Sequence, residues 1–353
     1  TSIASDMVNP KIYQWNANVQ RELPAAMIIT LSLIGTRGLH LYESDTLNAF
    51  AGYNPTALAS GTLSYLPRLN PARGPITVRD NSGDSHYNGL SAEVERHFAR
   101  GLLFRSSYTF SKAIDDGSDV YFGLGTLTVV PQAPYFPTGR HSERALSAFD
   151  TRHRWVTSFV YLVPSWQSNA NVFAHGLSVL SSGWELSNVF SMQSGEPATI
   201  SIAGIDTNGD GNTANGRPFL GNPSAPITSL AIDGIFIGAT PGTLYNNDTG
   251  APTTASNVHW IVSPGAGNVG RNTYIQPGSY NLNTAVTRTI KMPRWEGQQI
   301  QLRAEFYNVL NHVNYDYTPG IDMNVLDGTG SFLNLQQGRQ GQRIIKGVLQ
   351  YTF

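Results

Sequence analysis

Apolar and polar residues alternate along the chain with a period of two. One stretch has an apolar face, which consists of Ile300, Leu302, Ala304 and Phe306. The residues between them form the opposite, mostly polar face, which consists of Gln301, Arg303, Glu305 and Tyr307. This period belongs to a β-strand whose two faces meet different surroundings. The stretch therefore predicts a strand with one apolar and one polar face.

The same alternation recurs through the chain and predicts nine strands. No stretch sustains the helical period of 3.6 behind a capping residue. The predicted strands lie at 11–23, 28–38, 86–98, 102–115, 152–164, 183–195, 280–292, 300–316 and 343–353. We therefore predict that the chain is all-β.

The connections between these strands alternate in length. Short turns such as "PAAM", "ARG" and "PRWEG" join some pairs, and a segment of moderate length lies near 165–182. The long connections lie at about 42–85, 116–151, 203–277 and 312–340. Structureless loops of this length are uncommon in compact soluble domains. Transmembrane β-barrels, in contrast, have short periplasmic turns and long external loops. The pattern predicts an antiparallel transmembrane β-barrel, built here as a meander of about nine or ten strands.

Composition supports a membrane barrel over a soluble sheet. Charged residues make up 13% of the chain, against about 25% in soluble domains. The polar faces carry mainly Ser, Thr, Asn and Gln, which is a poor composition for a surface in water. A soluble all-β binding module remains the less favoured alternative. The net charge of -1 offers no field for nucleic acid, and no apolar run is long enough for a transmembrane helix.

The last residues form a further alternating pattern. Counting back from Phe353, the alternate positions are Tyr351, Leu349, Gly347 and Ile345. This ending resembles the assembly signal of outer-membrane proteins, a final strand that closes on an aromatic residue. We expect Tyr351 and Phe353 to be recognised by the barrel assembly machinery.

Several segments together resemble a known family. They are "HYNGLSAEVERHFARGLLFRSSYTFSKAIDD", "ERALSAFDTRHRWVTSFVYLVP", "GNVGRNTYIQPGSYNLNTAVTRTIKM" and "QLRAEFYNVLNHVNY". They are similar to the barrels of TonB-dependent outer-membrane receptors, in particular the Oar-like group. The resemblance implies a barrel of about 22 strands, plugged by an N-terminal domain and energised through TonB. It also implies import of a large nutrient, such as a siderophore, cobalamin or a glycan, across the outer membrane of a Gram-negative bacterium.

Residues 1–353 show no segment that resembles a plug or a TonB box. We expect them to be the C-terminal part of one barrel domain, with contact to the TonB complex only through the missing plug. Strand parity agrees, because nine strands that end in the periplasm place Thr1 outside, whereas single-chain bacterial barrels have even strand numbers. A further strand within 42–85 would change that count. A passive porin-like or adhesin-like barrel is the alternative.

One motif suggests a metal ion. Asp206, Asn208, Asp210 and Gly211 follow the D-x-N-x-D-G order of a calcium loop, in which alternate oxygens converge on one cation. The twelfth position is Arg217 and not Glu, and no helices flank the motif. The simpler interpretation is a turn rich in Asn, Asp and Gly. A structural calcium ion in this external loop is the one cofactor that the sequence suggests.

Aromatic residues of the long connections are the candidates for ligand binding, since they stack on sugars or cover apolar ligands. They are Tyr121, Phe122, Tyr135, Phe136, Tyr245 and Trp260. They could equally pack the loops together. No nucleophile elbow, zinc signature or phosphate loop is present, so we do not expect an enzyme.

Overall fold

The computed structural model describes residues 2–118, 143–165, 178–292, 298–315, 323–326, 332–335 and 339–353. Within these ranges the strands are β1 (Ser2–Ile3), β2 (Lys11–Leu23), β3 (Met27–Leu47), β4 (Ile76–Ala99), β5 (Leu102–Asp115), β6 (Ala145–Leu146), β7 (His153–Leu162), β8 (Trp184–Gln193), β9 (Pro197–Ala198), β10 (Phe219–Leu220), β11 (Leu230–Asp233), β12 (Leu244–Asn246), β13 (Pro252–Thr253), β14 (Trp260–Val262), β15 (Tyr274–Ile275), β16 (Ser279–Lys291), β17 (Gln299–Tyr307), β18 (Asn314–Tyr315), β19 (Arg339–Gln340) and β20 (Ile344–Thr352). Short helices lie at Pro55–Ala59 and Gly234–Ile237, and a 3-10 turn lies at Ala255–Asn257. In this part of the chain, no helix has the length and apolar character needed to cross a membrane.

The nine predicted strands form one large antiparallel sheet. Its order is β2-β3-β4-β5-β7-β8-β16-β17-β20, so that each long strand pairs with the next one along the chain. The small strands β1 and β6 add to β4 and β5. The edges are β2 and β20, every residue of which is exposed, and no described pairing joins them. The predicted meander is confirmed, and the sheet is open.

The strand register places most of the large apolar residues of the nine strands on one face, which we call the apolar face; a few polar side chains, including Arg96 and Asn188, lie there too. One continuous row across the sheet consists of Leu23, Met27, Arg96, Phe104, Phe159, Asn188, Thr284, Phe306 and Ile345. A second row, four residues farther along each strand, consists of Val19, Leu31, Ala92, Tyr108, Trp155, Met192 and Tyr280. Large side chains on this face are exposed, including those of Leu33 (57% exposed) and Leu349 (72%). An exposed apolar face of this width is typical of a sheet that faces lipid.

The opposite face, which we call the polar face, carries charges held in pairs. Arg105 lies 3.0 Å from Glu93, and Arg303 lies 2.9 Å from Glu305. A hollow of about 420 Å³ opens on the sheet here, and its lining includes Ser187. Because ion pairs and hydroxyl groups tolerate water, this face fits the wet interior of a barrel.

The two ends of the sheet differ as predicted. Short turns at 24–26 and 100–101 lie at one end, and the long connections lie at the other. The boundaries of the first long connection need correction. Strands β3 and β4 have 21 and 24 residues, so each is about 70–80 Å long, whereas the hydrocarbon core is about 30 Å thick. The hairpin therefore continues well beyond the membrane, and the connection shrinks to 48–75, which holds no further spanning strand.

The long connection after β8 is folded, contrary to the expectation of a structureless loop. We call residues 197–277 the loop subdomain. Its strands form a second sheet in the order β10-β14-β11-β12-β13. Its main core consists of Ile200, Ile202, Leu230, Ile232, Trp260 and Val262, joined by Val325 and Phe332 from the next long connection. The hydrophobic residues scattered among Gly, Asn and Ser thus suffice for a small core, which their spacing did not reveal.

Candidate functional site

The loop subdomain contacts the rest of the molecule through the turn that contains the calcium-like motif. The Asp206 carboxylate accepts the backbone N–H of Gly209 through Oδ1 and that of Gly211 through Oδ2, each at 2.7 Å. Both glycines have left-handed backbones, with φ of 73° and 87°. Only glycine adopts this region at little cost, so the D-x-N-x-D-G spacing closes the turn around the Asp206 side chain.

The second acid of the motif lies in the same turn. Asp210 Oδ1 accepts the N–H of Asn212 at 2.7 Å, and its Oδ2 accepts Nδ2 of Asn215 at 2.7 Å and Nδ2 of Asn208 at 3.2 Å. Asp206 and Asp210 are only 5% and 4% exposed. Burial raises the pKa of Asp206, and the N–H groups of the turn act against that rise. The structure thus brings the predicted metal-site residues together in a buried cluster.

The turn is held against connection 48–75. Phe50 donates its N–H to the Asp210 carbonyl at 3.1 Å, and Gly52 donates to the Gly209 carbonyl at 3.2 Å. The Tyr53 hydroxyl donates to the Asp206 carbonyl. A Cβ atom at Gly209 would lie 2.5 Å from the Tyr53 nitrogen, so the contact requires glycine there. Two connections far apart in sequence are therefore joined at this turn.

Aromatic rings cover the contact between this turn and connection 48–75. The Tyr65 ring stacks between Phe50 and Tyr53, with centroid distances of 4.4 and 5.2 Å. The Arg68 guanidinium lies 3.7 Å from the Phe50 ring centroid, and it donates to the Asn48 carbonyl at 2.7 Å. Burial is the first cause of the raised pKa of Tyr53 and of Tyr65. Sequence reasoning did not single out these aromatics, because they lie in a connection without periodicity.

Two buried ion pairs fasten the loop subdomain to the end of β5 and to Glu143. Arg271, which is 1% exposed, lies 2.5 Å from the Asp115 carboxylate and donates to the carbonyls of Asp115 and Glu143 at 2.6 and 2.7 Å. Arg217 lies 2.9 Å from Glu143, and each side chain is 3% exposed. Burial lowers the pKa of Arg217, and Glu143 opposes that effect. Arg217, the twelfth residue of the motif, is therefore already neutralised.

The six candidate ligand-binding aromatics do not share one place. Tyr121, Phe122, Tyr135 and Phe136 lie outside the described residues. Tyr245 is half-buried in β12.

Trp260 is 6% exposed, and its Nε1 donates to the Ile227 carbonyl at 2.6 Å. Its ring packs in the core of the loop subdomain, so this tryptophan is not an open stacking platform. The correction follows from its position in β14, the central partner of β10 and β11.

The two residues of the expected assembly signal lie at an edge of the sheet. Tyr351 in β20 donates its hydroxyl to Gln298 Oε1 at 2.7 Å, and Phe353 is 92% exposed. Both lie at the end that carries the short turns. Their recognition by an assembly machinery stays a prediction.

No group of three or more His, Asp or Glu side chains that could hold a metal comes together within the described residues. The turn at Asp206 supplies two carboxylates, and any further ligands there would be amide or carbonyl oxygens.

A family model with the description "Outer membrane beta barrel domain" matches residues 1–345. No match was found among curated proteins.

Two solved structures are among those similar to the chain. The outer membrane transporter YddB from Escherichia coli has 9% identity and a TM-score of 0.44, and the match covers 99% of this chain and 33% of YddB. FpvA from P. aeruginosa, solved in complex with heterologous pyoverdines and iron, has 9% identity and a TM-score of 0.41, with coverage of 97% and 27%. The chain spans about a third or less of the length of these two structures.

Proposed function

The chain belongs to the family of outer membrane beta barrel domains, and from that premise we propose that it is part of the barrel of a TonB-dependent receptor. The protein is located in the outer membrane of a Gram-negative bacterium, where its apolar face meets lipid. The proposed role is ligand binding and energised uptake of a large nutrient such as a siderophore, cobalamin or a glycan. The soluble alternative is not retained.

The open sheet is the observation that carries the proposal. Strands β2 and β20 expose their whole length, and an unpaired backbone group in hydrocarbon costs several kcal/mol. These edges must therefore pair with further strands or with each other, and the open sheet, in which no described pairing joins them, supports membership of a wider barrel. Contact with TonB would then require a plug segment outside residues 1–353.

The loop end supports ligand binding at the outer surface. The folded loop subdomain and connection 48–75 are joined by buried contacts, so this end presents a built surface and not a set of loose loops. Binding residues on rigid scaffolds are commonly carried by such connections. We propose no catalytic step. We also propose that the barrel assembly machinery recognises Tyr351 and Phe353.

A passive channel is the second candidate. The paired charges and the hollow of about 420 Å³ on the polar face would also suit the lining of a water-filled pore. A plugged receptor and an open pore differ in conductance and in their need for energy.

The test uses the full-length protein in cells with and without TonB. We would measure uptake of a labelled ferric siderophore, cobalamin and a maltodextrin, and also the single-channel conductance of the purified protein in planar bilayers. Uptake of one compound that is lost without TonB, together with low conductance, is the expected result. Stable open conductance with uptake that does not depend on TonB would replace the receptor by the passive channel.

A further inference from the structure

The turn at Asp206 contains more buried negative charge than its surroundings balance. The carboxylates of Asp206 and Asp210 are almost wholly buried, and neither lies within ion-pair distance of a cation among the described residues. Arg68 approaches the turn, but its guanidinium donates to the Asn48 carbonyl and covers the Phe50 ring. Buried charges are normally paired or bound to a metal ion. Among the described residues, the carboxylates of Asp206 and Asp210 have no such cation.

A second observation points to a missing partner. The side-chain oxygen of Asn215, a residue 3% exposed, has no hydrogen-bond partner. Its own amide nitrogen donates to Asp210 Oδ2 at 2.7 Å, so the unpartnered oxygen lies beside the acidic pair. An unsatisfied buried acceptor is destabilising, and a bound cation at this place would satisfy it.

The backbone of the turn leaves these side chains free to converge. The carbonyls of Asp206, Gly209 and Asp210 accept hydrogen bonds from connection 48–75. The side-chain oxygens of the motif accept N–H groups of their own turn and retain unused lone pairs, since an ionised carboxylate can accept about four hydrogen bonds. Oxygen donors from Asp206, Asn208, Asp210 and Asn215 are thus gathered in one buried place.

We propose that this turn binds a calcium ion, which fastens the loop subdomain to connection 48–75. Calcium accepts six to eight oxygens in flexible geometry, including amide and carbonyl oxygens, whereas magnesium requires a near-ideal octahedron and retains water. The ligand set is Asp206, Asn208, Asp210 and Asn215. Because Arg217 replaces the bidentate Glu of a full calcium loop, affinity on the order of 10⁻⁴–10⁻³ M is expected, as in extracellular modules. The site stands independently of the transport proposal.

The first experiment uses terbium as a luminescent substitute for calcium in the full-length protein in detergent. The Tyr53 hydroxyl donates to the Asp206 carbonyl, and the Tyr65 ring stacks on the Tyr53 ring, so both tyrosines should sensitise bound terbium. Saturable emission that calcium displaces, and magnesium displaces poorly, is expected. The double variant Tyr53→Phe, Tyr65→Phe should lose most of that emission. Absence of sensitised emission, or full emission in the double variant, would overturn the proposal.

The second experiment compares two charge-removing variants. Asp210→Asn changes a ligand, whereas Asp248→Asn changes an exposed acid in the same subdomain. Heat-modifiable gel mobility first establishes that each variant has a folded barrel. Calcium should raise the thermal midpoint and protect the loop subdomain from protease in the wild type and in Asp248→Asn. Asp210→Asn should need at least ten times more calcium for the same effects. Equal responses in all three proteins, or no response in the wild type, would refute a calcium site here. If Asp210→Asn does not fold, the calcium titration of the wild type and the terbium emission of the double tyrosine variant decide whether the site exists.

Discussion

At the scale of the residue, the side of the sheet to which a side chain belongs decides what it meets. Ala304 pairs with Val286 and Gly347 on the apolar face. Ser187 lies at nearly the same height on the polar face, where it lines the hollow. The two positions are small residues near the middle of their strands, so they form a matched pair.

We expect Ala304→Arg to destabilise the barrel by about 2–4 kcal/mol, the cost of an Arg facing lipid near the bilayer midplane. Ser187→Arg should cost much less, because its guanidinium would lie on the polar face beside a hollow that Glu95 and Glu305 also line. The measurement is reversible folding of the full-length protein into lipid vesicles against denaturant. Equal losses at the two positions would contradict the assignment of faces.

Residue faces were the most predictable part of the molecule. A period of two specifies which residues share a side once a strand forms, and the register confirms the predicted apolar sets of Ile300 to Phe306. The same logic fails for Trp260, whose burial arises from contacts with residues distant in sequence. Likewise, nothing local in the sequence distinguishes Arg271 as a buried cation.

At the scale of the element, buried ion pairs connect the end of β5 to the loop subdomain. Arg271 has its charge matched by Asp115 in a nearly water-free place, whereas Arg144 pairs with Asp84 and Asp116 at 3.4 and 3.3 Å and is 37% exposed. Solvent weakens the second interaction and not the first. The two arginines therefore allow a direct comparison.

Removal of Asp115 should leave an unpaired buried charge. We expect Asp115→Ala to cost about 3–5 kcal/mol, whereas Arg144→Ala should cost about 0–1 kcal/mol. Urea unfolding of the full-length protein, with limited proteolysis of the loop subdomain, measures both effects. A loss at Asp115 no larger than that at Arg144 would show that the buried pair contributes little to the attachment of the loop subdomain.

The strands were predictable as elements, but the connections were not. Nine amphipathic strands were readable because each carries its own pattern. Their boundaries differ mainly at β3 and β4, which are longer than predicted, and at β17, which ends at Tyr307 and not at 316. The loop subdomain has strands of two to four residues, which are too short for periodicity to identify. Its core depends on contacts across the connection and with Val325 and Phe332.

At the scale of the whole molecule, the unpaired edges require partners. Residues 1–353 contain no cysteine, so cysteine pairs engineered within them can report strand neighbours against the unmodified full-length protein as a control. Leu302 and Leu349 are direct cross-strand neighbours, at a separation that a disulfide can bridge.

In the full-length protein, Leu302→Cys with Leu349→Cys should cross-link under mild oxidation. Val19→Cys combined in turn with Gly347→Cys, Leu349→Cys or Tyr351→Cys should not, because additional strands would separate β2 from β20. Non-reducing gels of outer-membrane fractions give the readout. Efficient cross-linking between β2 and β20 would instead indicate a small barrel closed by these nine strands.

The length of the β3–β4 hairpin has a mechanical consequence. Its ladder of hydrogen bonds rises from the membrane to within three residues of Phe50, which is bonded to Asp210. The loop subdomain is therefore attached to the barrel by the stiff β3–β4 hairpin as well as by its own two chain ends. The register shifts flanking Leu41, between Leu39 and Glu43, interrupt that ladder. If the loop subdomain tilts relative to the barrel, the β3–β4 hairpin is expected to bend at Leu41. The turn at Asp210 would then move together with the end of the hairpin.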